Sequence, residues 1–431
     1  MTTSAAETDV VQILSDLLKI DTTNPGKPER PAAELVAGLL DEVGIDAEIL
    51  EGESGRSNVI ARIEGSNPDR PALLVHGHLD VVPAEAADWS VHPFSGDIID
   101  GCIWGRGAID MKDMDAMVLA VVRQWARQGL RPERDIVLAF LADEEMGSFT
   151  GARWLGAHHP ELFADCSEAI SEVGGFSVSL NDGARAYMVQ TAEKGLVWLR
   201  LTANGSAGHA SLEHRDNAIT ALASALSRIG THSFPVHARP EVMTLLRELE
   251  PVVGRNLEPD DADEWLPLLG GLSRMVGASL RNSANPTRFD AGYKNNVVPA
   301  TAEATIDARF LPGYEDELMT DLRQLVGDDV DLEVVVHGQA VETAYEGALV
   351  DAMCEALRAE DPHALPVPYL LTGGTDAKVF APMGIRCFGF APLLLPDDVD
   401  FTSMFHGVDE RVPVSSVQFG VRVLDRLLSS C

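Results

Sequence analysis

Apolar and polar positions follow two different periods along this chain, and the switches between them mark out its elements. Over 8–20, Val10, Val11, Ile13, Leu14, Leu17 and Leu18 recur with the spacing of an amphipathic helix that buries one face. DTTNPG breaks it, and a second helix is expected over 30–43, ending at Gly44, followed by strands over 47–50 and 57–63. Three later runs are largely apolar and read as buried strands: 72–75, 135–141 and 169–171. Each empties into polar groups that a continuing core strand could not satisfy. The first delivers His76, Gly77, His78 and Asp80, the second Asp143, Glu144 and Glu145, and the third Glu172. Between the first two, the Gly-rich loop GRGAIDMK carries Asp110 to the start of a helix expected over 114–128. Asp110 there is either a helix cap or a ligand beside closely passing backbone.

From Gly195 the texture changes. GLVWLRLTANG alternates like a half-buried strand, GSAGHAS is a turn, and 217–229 reads as a helix. Residues 232–285 are Pro-broken and helical in patches, like an insertion. Strands follow over 287–293 and 301–310, then a helix over 316–326 and a strand over 330–336. That β-α-β-β-α-β order is a ferredoxin-like unit. The expected organisation is therefore α/β: a catalytic domain of 1–193 and 341–431, interrupted by an α+β lid at 194–340 that holds the insertion. The resumed part offers a helix over 348–359, the Gly-rich turn LLTGGTDAK, a buried strand in IRCFGFAP, and a C-terminal helix over 414–428 after FHGVDERVPV.

Composition narrows the partners. The 33 Lys and Arg against 67 Asp and Glu give a formal net charge of -34. Such a chain has no basic surface to displace counterions from phosphate, so neither nucleic acid nor an anionic membrane is the expected partner. Cys102, Cys166, Cys354, Cys387 and Cys431 lack close pair spacing, which points away from disulfides and from a thiolate metal site. No basic leader or apolar run of about 18 residues is present, so a cytoplasmic setting is expected.

In open α/β sheets ligands sit beyond the carboxyl ends of strands. The groups delivered to such ends or to adjoining loops are His78, Asp110, Glu144, Glu145, Glu172 and His406. Imidazole with carboxylate and no thiolate is a donor set for zinc or a similar divalent ion. Five ligands, one of them a bridging carboxylate, suit two ions roughly 3.5 to 4 Å apart and leave one Glu free as a base.

HGHLDVVP, GRGAIDMK, ADEEMG, GGTD and HGVDERV, in that order, resemble the signatures of the dinuclear zinc peptidases and amidohydrolases of metallopeptidase family 20, which include aminoacylase, carboxypeptidase S, glutamate carboxypeptidase and succinyl-diaminopimelate desuccinylase. The resemblance covers essentially the whole chain. It implies a zinc-peptidase-like α/β/α catalytic domain with a central mixed sheet, and a lid that serves dimerisation. It implies two Zn²⁺, or Co²⁺ or Mn²⁺ in their place. His78, Asp110 and Glu172 would hold one ion, and Glu145 and His406 the other, with Asp110 bridging. Asp80 would orient His78, Glu144 would be the general base, and the Asp110–Met111 peptide would be cis. His209 matches a lid histidine that enters the neighbouring subunit's active site in many members, which implies a homodimer. Asn296, Arg309 and the loop Gly373, Gly374 and Thr375 match positions that meet the substrate.

The implied reaction is hydrolysis of an amide next to a free carboxylate, in an N-acyl amino acid or a short peptide. GGTDAK lacks the Ser of the longer GGTSDAR form, which weighs against desuccinylase specificity. A metal-binding relative without turnover is the alternative from another class, and the intact Glu144 weighs against it.

Overall fold

The computed structural model describes residues 4–180, 183–397 and 401–431. Ser4 caps the first helix, Ala5–Leu18, in a reciprocal capping box with Glu7, and Val10, Ile13, Leu14, Leu17 and Leu18 are buried along one face. Its apolar stripe packs with the long helices Lys112–Gln128 and Val414–Ser430 against a large sheet.

Among the described residues that sheet has ten strands. At its centre Ile136–Leu141, Ala72–His78 and Cys166–Ser171 run parallel, and Arg386–Gly389 continues parallel to the last of them. His78 pairs with Leu141, and Val75 with Ile170. The polar residues that follow each strand therefore emerge at one rim. Arg56–Ile63 lies antiparallel to Ile136–Leu141, and Arg185–Glu193 joins the far side, so the sheet is mixed.

Successive residues of a strand face opposite ways, and here they feed two cores. Leu73, Val75, Ile136, Leu138 and Phe140 belong to the cluster under the three long helices. Leu74, Val137, Ala139 and Leu141 join Leu155, Phe163 and Phe380 beneath the short helices Ala152–His158 and Ala377–Phe380. Helices thus cover both faces of a central mixed sheet.

A second sheet is ordered Ser283–Ala291, Thr301–Phe310, Gly195–Asn204 and Val330–Gly338. Val197, Leu199, Leu201 and Ala203 alternate inward and meet Leu222, Ile229, Leu318 and Leu322 of the helices Ala218–Thr231 and Glu315–Val326. The strand expected over 287–293 begins at Ser283. Pro286, which reads as a breaker, is accommodated at an edge strand beside a register irregularity.

The helices of 240–280 pack differently from those on the second sheet. Leu245, Leu246, Leu249, Trp265, Leu272 and Val276 are buried in the same cluster as the large sheet, and the helices Pro240–Val253 and Ser273–Ser279 lie against the strand Ala364–Leu371. Trp265 is fully buried, its indole N–H donating to the Glu258 carbonyl at 2.7 Å. Trp265→Ala is expected to destabilise the whole protein by about 3–5 kcal/mol, read as a lowered midpoint in denaturant unfolding.

Candidate metal centre

Each donor reaches the rim by a local device. His78 ends its strand, and its Nδ1 lies 2.9 Å from the Asp80 main-chain carbonyl but 3.6 Å from Asp80 Oδ1. The carbonyl therefore takes the Nδ1 proton and leaves Nε2 free to ligate. The Asp80 carboxylate instead accepts from the Glu144 amide at 3.1 Å, the Glu145 amide at 3.2 Å and Asn24 Nδ2 at 2.9 Å. It thereby fixes the tight turn that carries both glutamates.

Asp110 sits between the glycine-rich loop and the helix Lys112–Gln128, and the Asp110–Met111 peptide is cis. A Cβ added at Gly107, where φ is +90°, would meet Val81 Cγ1 at 2.8 Å, so the chain passes where only glycine fits. Glu410 of the HGVDERV stretch accepts from the Ile109 amide at 2.8 Å and from Arg106 Nη1 at 2.6 Å, while Arg106 Nη2 donates to the Gly407 carbonyl at 2.8 Å. The loops bearing Asp110 and His406 are thus tied together.

Two groups of donors result. His78 Nε2 lies 3.2 Å from Asp110 Oδ1 and 3.5 Å from Glu172 Oε2. His406 Nε2 lies 3.2 Å from Asp110 Oδ2 and 3.3 Å from Glu145 Oε2. Within each group the donor atoms all fall within 4.8 Å of one another, and Asp110 belongs to both. Atoms bound about 2.1 Å from a common ion at tetrahedral angles stand roughly 3.4 Å apart, which matches these spacings. Buried Glu145 Oε1 has no hydrogen-bond partner. These residues fit a pair of divalent ions sharing Asp110.

Their protonation follows from crowding. Burial pushes the Glu172 carboxyl up to about 8, helped by the charges of Asp110 and Glu145. Burial, then the Glu172 charge, raises Glu144 well above its usual range. Burial also works against an ionised Asp110, but hydrogen bonds from His406 and His78 outweigh it and hold that carboxyl low. Bonds to Asp110 and Glu145 raise His406 to about 10. Without a cation, Glu172, His406 and His78 therefore hold protons at pH 7, the last on the Nε2 that faces Asp110, and ligation must expel them. Metal loading at pH 7 is expected to release protons, with affinity rising as pH rises through 8. Calorimetric titration in buffers of different ionisation enthalpy reads this directly.

Both groups face a cavity of about 450 Å³ whose walls include Glu144, Gly373 and Gly374. Thr375 lies outside the cavity wall, buried and bonded through its amide and hydroxyl to Glu193 at 3.0 and 2.6 Å, so it anchors the Gly373–Gly374 turn from behind. Arg309 borders an adjoining groove and is held by Asp307 at 2.7 and 3.0 Å. His209 and Asn296 are exposed on the short ribbon of Gly208–His209 with Val297–Val298, and neither lines the cavity of its own chain. Sequence reasoning missed Phe176, Tyr369, Phe405 and the trio Arg274, Met275 and Ala278. Phe405 and Tyr369 flank the recognised His406 and TGG stretches, a signal that proximity alone could have supplied. Nothing local marked the trio.

Comparison with known proteins places this arrangement. The sequence model described as Peptidase family M20/M25/M40 matches residues 74–430. The chain is 26% identical to the N-fatty-acyl-amino acid synthase/hydrolase PM20D1 of Xenopus tropicalis, across 98% of this chain and 85% of that protein. It is 26% identical to human aminoacylase-1, across 97% and 94%. Among solved structures, an M20 family metallo-carboxypeptidase from Sulfolobus solfataricus superimposes with a TM-score of 0.72 at 19% identity, covering 98% of each chain.

Proposed function

The chain belongs to peptidase family M20/M25/M40, whose members hydrolyse peptide or amide bonds, and from that premise we propose that it cleaves an amide next to a free carboxylate, in an N-acyl amino acid or a short peptide. The observation that carries this reading is the sharing of Asp110 by two donor groups that open, with Glu144, into one cavity. Names of the relatives point the same way, since both PM20D1 and aminoacylase-1 are named for amino acids bearing an acyl group.

The residues divide the work. His78, Asp110 and Glu172 would hold one ion, and Asp110, Glu145 and His406 the other; zinc suits the donors, with Co²⁺ or Mn²⁺ as substitutes. Ions bound there would supply the positive charge that acidifies a water and stabilises the developing oxyanion. Glu144 takes the proton from the attacking water as the new C–O bond forms, and returns it to the departing nitrogen as the C–N bond breaks. Without cations, burial and the Glu172 charge raise this carboxyl well above its usual range, and positive charge bound beside it would lower it toward the range in which it can accept a proton. Asp80 holds Glu144 and Glu145 in place through their amides.

The lid is 194–340, and its exposed ribbon presents His209 to the cavity of a second copy in a homodimer. A panel of N-acyl amino acids and dipeptides, assayed with metal-loaded protein, tests the reaction. Cleavage of at least one series is expected, and complete inertness toward both would overturn the proposal.

A further inference from the structure

The stretch DTTNPG, which breaks the chain between its first two helices, belongs to none of the signatures that build the metal centre. It nonetheless runs alongside the turn that follows His78. Thr22 Oγ1 donates to the Leu79 carbonyl at 2.6 Å, the Val81 amide to the Thr22 carbonyl at 3.2 Å, and the Asn24 amide to the Val81 carbonyl at 2.8 Å. These bonds seat the Asn24 side chain, which is buried, beside the carboxylates that hold the glutamate turn.

There Asn24 Nδ2 donates to two of them, Asp80 Oδ2 at 2.9 Å and Asp143 Oδ1 at 3.0 Å. Each carboxylate fixes a different part of the segment that carries Glu144 and Glu145. Asp80 accepts both glutamate amides, while Asp143, whose backbone is left-handed at φ +66°, accepts the Thr150 amide at 3.1 Å through its other oxygen. The two oxygens facing Asn24 are at most about 6 Å apart, and like charges that close repel in a buried site. A primary amide offers one N–H to each and adds no charge of its own. Asn24 Oδ1 accepts from Arg56 Nη2 at 2.8 Å, and a guanidinium has only donors, so the amide is held with its nitrogen toward the carboxylates. Arg56 is in turn paired with the fully buried Glu29.

We propose that Asn24 is a positioning residue for the reaction: by joining Asp80 to Asp143 it fixes where Glu144 and Glu145 point. This rests on the reading of Glu144 as the base and Glu145 as a ligand. The effect on the ions should be unequal. Glu145 serves only the donor group that contains His406, whereas His78 and Glu172 leave the ends of two paired strands and His78 Nδ1 is held by a main-chain carbonyl.

The test compares wild type with Asn24→Ala, Asn24→Asp and the exchanged pair Asn24→Asp with Asp143→Asn. On an N-acyl amino acid, Asn24→Ala should lower kcat by about 10- to 100-fold, the usual cost of changing a group that supports a ligand, with KM within a few fold. Asn24→Asp keeps the size but sets three carboxylates together, and should lose more. The exchanged pair again faces an amide with a carboxylate and should recover part of that loss. Zinc supplied in limiting amount and located by anomalous diffraction should leave the position beside Glu145 and His406 in favour of the one beside His78 and Glu172. A residue that only stabilised the fold would lower both occupancies alike and gain nothing from the exchange. Arg56→Lys, at the outer end of the network, should show the same unequal shift more weakly, and it decides the matter if the Asn24 variants do not fold.

Hydrogen exchange on metal-free protein needs neither ions nor turnover. In Asn24→Ala, or in Arg56→Lys to a smaller extent, residues 143–150 should exchange faster while 72–78 keep their wild-type protection. If wild type binds no zinc and cleaves no N-acyl amino acid, the hydrolase reading fails, and this arm still decides on Asn24. Unchanged exchange over 143–150, or an Asn24→Ala protein with wild-type kcat and zinc distribution, would overturn the proposal.

Discussion

Glu144→Gln is expected to keep its bound metal and to lose kcat by roughly 10²- to 10⁴-fold, the usual contribution of a positioned acid–base group. The neighbouring Glu145→Ala should behave oppositely and lose metal. The two side chains leave one tight turn, Glu144–Met146, whose amides are gripped by the same Asp80 carboxylate. Glu145 Oε2 lies 3.3 Å from His406 Nε2, within a donor group, whereas Glu144 belongs to neither group and faces the cavity. Metal content by elemental analysis, set beside single-turnover rates, separates the roles. A Glu144→Gln protein depleted of metal, with Glu145→Ala replete, would exchange the two assignments.

Asp110→Ala should have the larger effect on the ions themselves. Asp110 gives one oxygen to each donor group, so its loss removes a ligand from both. Changing a residue that merely touches a ligand costs about 10- to 100-fold in metal affinity, and loss of a shared ligand should exceed that at both positions. Wild type should bind about two ions per chain, and Asp110→Ala should bind neither under the same dialysis, with activity lost in parallel. Retention of one ion at wild-type affinity would mean that the groups are independent.

Much of this site was legible in the sequence because parallel strands bring their carboxyl ends to one rim. The strands before His78, Glu144 and Glu172 carry largely apolar runs, and their register places those ends side by side. Asp110 and His406 were harder, since loops deliver them. Their meeting depends on Arg106 and Glu410, which lie 304 positions apart in the chain.

Other features were legible only in part. An Asp two residues after His78 suggested a carboxylate against the imidazole. In the turn that follows, the Asp80 carbonyl is the nearer acceptor, and the carboxylate is freed for the glutamate turn. Arg309 matches a position that meets substrate, and Asp307 stands two positions earlier on the same strand. Residues at that spacing share a face, so the ion pair could have been anticipated. The helices of 240–280 carried an ordinary apolar period, which says that a face is buried but not against what. Only tertiary packing shows that they seal the core of the large sheet and turn Arg274 toward the cavity.

The central claim is that one carboxylate joins two cation sites. Anomalous diffraction at the zinc edge, from crystals of the metal-loaded protein, tests it most directly. Two peaks are expected roughly 3.5 to 4 Å apart, one bounded by His78 and Glu172, the other by Glu145 and His406, with Asp110 between them. A single peak, or two peaks that do not share Asp110, would contradict the account.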